Sequence, residues 1–378
     1  MEPVTAPRSD DPGDDRTAQT SATWPWVVIE TLTEPDDFTV VLDGPAPRAF
    51  SRLNRASISR NSTAARMLPG LVRDAAATGR TRDQYFHLSD DRVRRMMVIP
   101  VAGPTGIVHA TAVWVGGIEE PLPRLPIIGA IEWTIQGLAV ANPAGQFLLR
   151  APQGDLLSAH TLPEMLSGFD EFEDRPGFLS LFNLGDLDTP AQQWHGTARL
   201  RYDDGGELHT LFLAARAVGQ GTDRVVRAVV TDITGSQTPT RPDLTLAAVR
   251  HMPITPGHAL ALADLKTGFI HEWLTSSPTS PLTAWRHHNP EFDPVSKLEV
   301  VQACYALATG TTETVTHQVT MRFSEADDWI PLLAKWTLIS GGDRPQALID
   351  ITPMAPLPSP AVSGCRMCAD FAARNATT

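Results

Sequence analysis

Apolar and polar residues alternate with a period of two over many short stretches of this chain, the pattern of half-buried strands. From Ala198 to Val218 one apolar, β-branched run goes in, Asp203-Asp204-Gly205-Gly206 turns the chain, and a second run comes out. That is a hairpin signature. The same shape returns from Val319 to Ile339. A shift of 121 residues lays Arg201-Tyr202 on Arg322-Phe323 and Ala217-Val218 on Leu338-Ile339. A third run closes each copy: Thr231-Asp232-Ile233-Thr234 falls near Ile349-Asp350-Ile351-Thr352. A fainter copy occupies Tyr85–Val101 and Gly106–Val115, with Asp90-Asp91 at its turn. There Val108, Ala110, Ala112 and Trp114 alternate toward one face.

Each closing hairpin is preceded by two strands and short helices. Residues 129–141 read as two strands about Gln136-Gly137, with Asn142-Pro143-Ala144-Gly145 as a turn. Thr161 with Glu164 three residues on has the form of a capping box. Residues 259–275 read as two strands about Lys266-Thr267-Gly268. The next helix has Asp293 as N-cap, Pro294 in its first turn and Gly310 at its end. Leu298, Val301, Tyr305 and Ala308 share one face of it, and Cys304 lies on another with Val300 and Leu307. The order β-β-α-α-β-β-β occurs three times. It predicts an α+β chain of three tandem units, each an antiparallel sheet of five to six strands with short helices on one face.

Proline-rich connections separate the units, because proline removes a donor and fixes φ. They lie at 119–126, 235–243 and 353–364 and give blocks 24–118, 127–235 and 244–353. Residues 1–23 hold little that could be buried and read as a disordered acidic terminus. Residues 354–378 read as a proline-rich tail. The 42% of hydrophobic residues is enough to fill three cores of this size.

The order of elements and the stretch His288, Pro290, Glu291, Asp293 with its helix, Gly310 and following strand resemble PAS domains. Residues 132–149 and 227–235 also resemble the first and last strands of that fold. The first block is equally similar to a GAF domain. From 24 to 353 the chain resembles an actinobacterial family of tandem PAS/GAF sensor proteins that has a mycobacterial member. The resemblance implies a pocket between sheet and helices in at least one unit, and a small ligand or a conformational signal as its business.

Charge narrows the partners. A net charge of −12 and a pI near 5.3 argue against binding nucleic acid or an anionic membrane surface. The longest apolar runs fall well short of the ~20 residues that span a bilayer, so no membrane insertion is expected. Three cysteines suit a reducing, cytoplasmic setting.

Candidate chemistry is sparse. Trp133, Trp194, Trp285 and Trp336 are the pocket-lining candidates if the register is right, and core filler otherwise. Cys365 and Cys368 form a lone C-x-x-C, half of an ordinary zinc site, and read as an inert or weakly redox-active tail with metal binding as the alternative. His287-His288 lies in the turn before the helix and reads as structural. The sequence names no cofactor and holds no recognisable nucleophile–base pair. The expectation is a non-catalytic cytoplasmic sensor that binds a small molecule, a signalling protein, or both, with homodimerisation open. The alternatives are a ligand-free interaction platform, or an enzyme whose site the sequence does not reveal.

Overall fold

The computed structural model describes residues 25–35, 37–88, 92–150, 159–183, 192–201, 208–219, 221–236, 258–276 and 280–354. The acidic terminus and the C-x-x-C tail lie outside the described residues.

The first sheet is built from β1 (Val27–Glu30), β2 (Thr39–Asp43), β3 (Ala46–Arg52), β4 (Arg82–His87), β5 (Val93–Ala102) and β6 (Val108–Gly117), with α1 (Ser62–Thr78) between β3 and β4. Its strand order is β3-β2-β1-β6-β5-β4. α1 has apolar residues at helical spacing, Ala64, Leu68, Val72 and Ala75, and buries all four. Asn61 caps its start by accepting from the Ala64 N–H, and Gly79 ends it at φ +64°.

The middle sheet comprises β7 (Ile128–Thr134), β8 (Leu138–Ala141), β9 (His160–Thr161), β10 (Glu171–Phe172), β11 (Gln193–Arg201), β12 (Leu208–Val218) and β13 (Val225–Asp232). Among the described residues three short helices cover it: α2 (Pro143–Leu149), α3 (Leu162–Ser167) and α4 (Arg175–Ser180). The strand order is β10-β11-β12-β13-β7-β8-β9. The stretch read as a turn at 142–145 is the start of α2, because the Asn142 side chain accepts from the Gly145 N–H at 2.8 Å and caps it.

The third sheet comprises β14 (Ala259–Asp264), β15 (Phe269–Ser276), β16 (Glu291–Phe292), β17 (Thr314–Arg322), β18 (Ile330–Ser340) and β19 (Gln346–Pro353), with α5 (Pro294–Ala308) before β17. Its order is β15-β14-β19-β18-β17-β16. Asp293 caps α5 by accepting from the Val295 and Ser296 N–H groups.

In every sheet the first strand lies beside the last, and among the described residues all these pairings are antiparallel. The hairpins read from the sequence are β11–β12 and β17–β18. α5 departs from a simple amphipathic helix. Its buried residues are Ser296, Ala303, Cys304 and Leu307, while Leu298, Val301 and Tyr305 face solvent.

The first and middle sheets pack face to face. Trp26, Val28, Ala110, Ala112 and Trp114 meet Ile128, Ala130, Phe212, Ala214 and Val229 in one buried cluster. Alanines at the centre let the backbones approach. The far face of the first sheet carries α1, and that of the middle sheet carries α2 to α4, giving four layers. β6 is therefore buried on both faces. The third sheet leans on the helix side of the middle unit: Phe269 of β15 packs against the middle core and its ring meets Phe182 at 6.0 Å.

Candidate functional site

Polar residues sealed between the layers come first, because burial makes each one a commitment. Glu30, 1% exposed, sits at the end of β1. It accepts from the Leu32 N–H, from Thr39 Oγ1 at 2.6 Å and from Arg216 Nε at 2.9 Å. Arg216 also lies 4.6 Å over the Phe50 ring. This ion pair ties β1 of the first sheet to β12 of the second. Nearby, Glu132 accepts from Arg227 Nε at 2.7 Å and Thr105 Oγ1 at 3.2 Å. The buried His109 sets its Nδ1 3.1 Å from the Ala228 carbonyl and its Nε2 3.9 Å from Glu132. His109 and then Arg227 hold the Glu132 carboxyl down at about 2. The direct bond is Arg227's, since 3.9 Å exceeds a hydrogen bond.

A second polar set joins the middle and third units. Thr161 Oγ1 donates to the Trp285 carbonyl at 2.6 Å. Thr161 is the N-cap residue of α3, but its side chain makes no capping bond there and is turned to the neighbouring unit. Arg175 pairs with the buried Glu272, and Asn289 Nδ2 donates to the Gln136 carbonyl at 2.7 Å. His271 is buried beside them and bonds Gln346 at 2.8 Å. Burial, then the Arg175 charge, push its imidazole down to about 4.

Among the described residues three concavities stand out. One lies between the sheet and helices of the middle unit and has a volume of about 190 Å³. Ile131, Ala139, Ala141, Leu149, Met165 and Leu200 make its apolar lining. Gln146, Arg150, His160, Glu164 and Arg201 supply its polar groups. Arg150, at the end of α2, holds the left-handed conformation at φ +58°. The second, about 640 Å³, is an open cleft between β3 and the β10–β11 edge, lined by Pro47, Phe172, His195 and Phe212 among others. Its carboxylates are engaged: Glu173 accepts from Thr197 N and Oγ1 at 3.0 and 2.8 Å, and Glu171 pairs with Arg199 at 3.2 Å. The third, about 500 Å³, is a shallow hollow at the C-terminal end of α1.

The tryptophans singled out from the sequence are all buried and line none of these three concavities. Trp133 and Trp194 come together in the middle core: both rings meet Phe178, at 5.4 and 5.1 Å, and Phe172 stacks on Trp194 at 5.2 Å. Trp285 and Trp336 share the third core, Trp285 against Trp273 at 5.4 Å. His287 and His288 are exposed, and the His287 ring tilts against His160 at 5.7 Å. Cys365 and Cys368 lie outside the described residues. Among the described residues no group of three His, Cys, Asp or Glu is placed to hold a metal ion, and no helix is long and apolar enough to cross a membrane. The cavity's polar groups went unread in the sequence because they come from four separate elements and form no local motif.

Residues 25–124 match the family model described as Rv3651-like, N-terminal. That stretch holds the whole first sheet and α1. The crystal structure of an uncharacterised protein from Mycobacterium tuberculosis is similar to this chain, with 19% identity and a TM-score of 0.66 over 93% of this chain and 99% of that one. The likeness is one of fold and runs through all three sheets. An RNA-binding light-oxygen-voltage receptor aligns with 11% identity and a TM-score of 0.23 over 60% of this chain and 95% of that one. The periplasmic sensory domain of the Campylobacter jejuni chemoreceptor Tlp1 aligns with 11% identity and a TM-score of 0.20 over 62% and 76%. Scores that low establish no shared overall fold. No curated protein matches the sequence.

Proposed function

We propose that this chain is a non-catalytic, cytoplasmic signal-transduction protein of three tandem PAS/GAF-like units, and that the middle unit takes a small molecule. The observation that supports it is the cavity of about 190 Å³ between the middle sheet and α2–α3, apolar with a few convergent polar groups. Drug-sized sites run to roughly 300–1,000 Å³, so its occupant is a compact metabolite. The units' shared sheets carry the consequence: β7 supplies Ile131 to the cavity and Ala130 to the contact with the first sheet. A signal leaves through protein contact.

A ligand-free interaction platform is the second reading. The filled aromatic core around Trp133, Phe178 and Trp194 favours it, since those side chains occupy the space a larger ligand would need.

Native and denatured masses of the freshly purified chain separate the two. A small mass retained in the native state and lost from the Ala139→Leu variant, which fills the cavity, supports ligand binding. Bare-chain mass, together with no thermal shift from a metabolite library, leaves the platform.

A further inference from the structure

α5 is apolar on two faces. Ala303, Cys304 and Leu307 enter the third core. On the outer face Val295, Leu298, Val301 and Tyr305 are 66%, 58%, 59% and 71% exposed. Spacings of three and four residues hold them on one ridge. Lys297 and Glu299 are the charged residues of the whole helix. A helix apolar all round is ordinarily covered on both sides.

The size of the ridge selects what covers it. From Val295 to Tyr305 it runs about 15 Å, at 1.5 Å per residue, and is one helix wide. A stable dimer needs about 800 Å² from each partner, more than one such ridge offers. A short segment of chain fits it.

We propose that the C-terminal segment 365–374 of this same chain docks on the outer ridge of α5. The position where the chain leaves the third sheet points to it. Met354 N donates to the Pro331 carbonyl, Pro331 is paired with Thr320, and Thr320 N donates to Ser296 Oγ at 2.8 Å in the first turn of α5. The exit therefore lies two strands across the sheet from the first turn of α5, within reach of the ridge, and Met354 is exposed there. Twenty-four residues follow Met354. The first ten reach about 30 Å when extended, twice the ridge length. The next ten bring Met367 and Phe371, four apart, for the apolar contact. Arg366 and Arg374 against the single Asp370 make this segment basic on an acidic chain, and Glu299 and Glu313 stand on and after α5. Tethering favours the contact without great intrinsic affinity. The inference is independent of whether the middle cavity holds a ligand.

The test is a nitroxide on Cys368 of the full chain carrying Cys365→Ser. Cys304 stays unlabelled, since it is buried and burial pushes its thiol up to about 12. A slow-motion spectrum is expected, becoming fast in the Leu298→Asp/Val301→Asp chain and in a Phe371→Asp chain. The ridge substitutions are at solvent-facing positions, and an unchanged melting temperature confirms the fold. A fast spectrum in the parent chain overturns the proposal. So does a slow one that survives the ridge substitutions. A doubled native mass abolished by Leu298→Asp also overturns it, and gives the ridge to a second copy.

Discussion

At the scale of single residues, the sealed polar groups decide most. Arg216 and Glu30 are both buried between two sheets. Arg216→Ala leaves the Glu30 carboxylate without its cation, and breaking a buried pair costs about 3–5 kcal/mol. The expected outcome is a loss of that order in denaturant unfolding, with part of it recovered in the Glu30→Met/Arg216→Met chain. His271 makes a pH prediction. Its folded value is about 4 against 6.5 when exposed, so the unfolded state binds more protons between those values. Stability from this site is complete above about pH 6.5 and falls as pH drops toward 4. The loss is on the order of 3 kcal/mol. Arg175, Glu272, Asp264 and Gln346 surround the ring, and His271→Gln should flatten the stability profile in that window.

At the scale of elements, the hairpins were legible because β11, β17 and β18 alternate buried and exposed residues and acidic residues separate the paired runs in the sequence, although β12 is buried on both faces. Helix starts were legible where the cap acts locally, as Asp293 does. The start at Thr161 was also legible, since α3 begins at Leu162, but the capping bond was not: the Thr161 side chain makes no cap and its hydroxyl donates to the Trp285 carbonyl. The Thr161→Val chain should lose about 1–3 kcal/mol, the cost of a buried carbonyl left unpaired, while far-UV dichroism shows α3 retained. Asn142-Pro143 looked like a turn because its capping bond and a helix of seven residues are too short to show periodicity. The seat of α2 on β7 is set by two glycines: a Cβ on Gly129 would meet the Gly145 Cα at 2.4 Å. Backbone cannot yield as a side chain can. Gly129→Ala should cost about 1–3 kcal/mol as overpacking and should loosen the cavity that α2 helps to wall, read as lower melting temperature and faster amide exchange in 143–149.

At the scale of the whole molecule, the face-to-face contact of the first two sheets escaped the sequence. Alternation reports which face is apolar, but β6 is buried on both, and no spacing says what lies across a sheet. The consequence is cooperative. The first and middle sheets share one apolar cluster and the Glu30–Arg216 pair, so they should unfold together. The third unit has its own core, joined to the middle unit through Phe269, Arg175–Glu272 and Thr161. Trp114→Ala removes a ring that is 1% exposed at the centre of the shared cluster and should cost about 3–5 kcal/mol. Calorimetry should show the transition of the paired sheets moving down as one. Cys304 reports the third unit separately once Cys365 and Cys368 are changed to serine, because its thiol reacts only when that core opens. In the Trp114→Ala chain its labelling rate should stay close to that of the parent. Labelling that accelerates in step with the calorimetric shift would mean that all three sheets form one cooperative unit, held by the junction at Phe269 as firmly as by the sheet-to-sheet cluster.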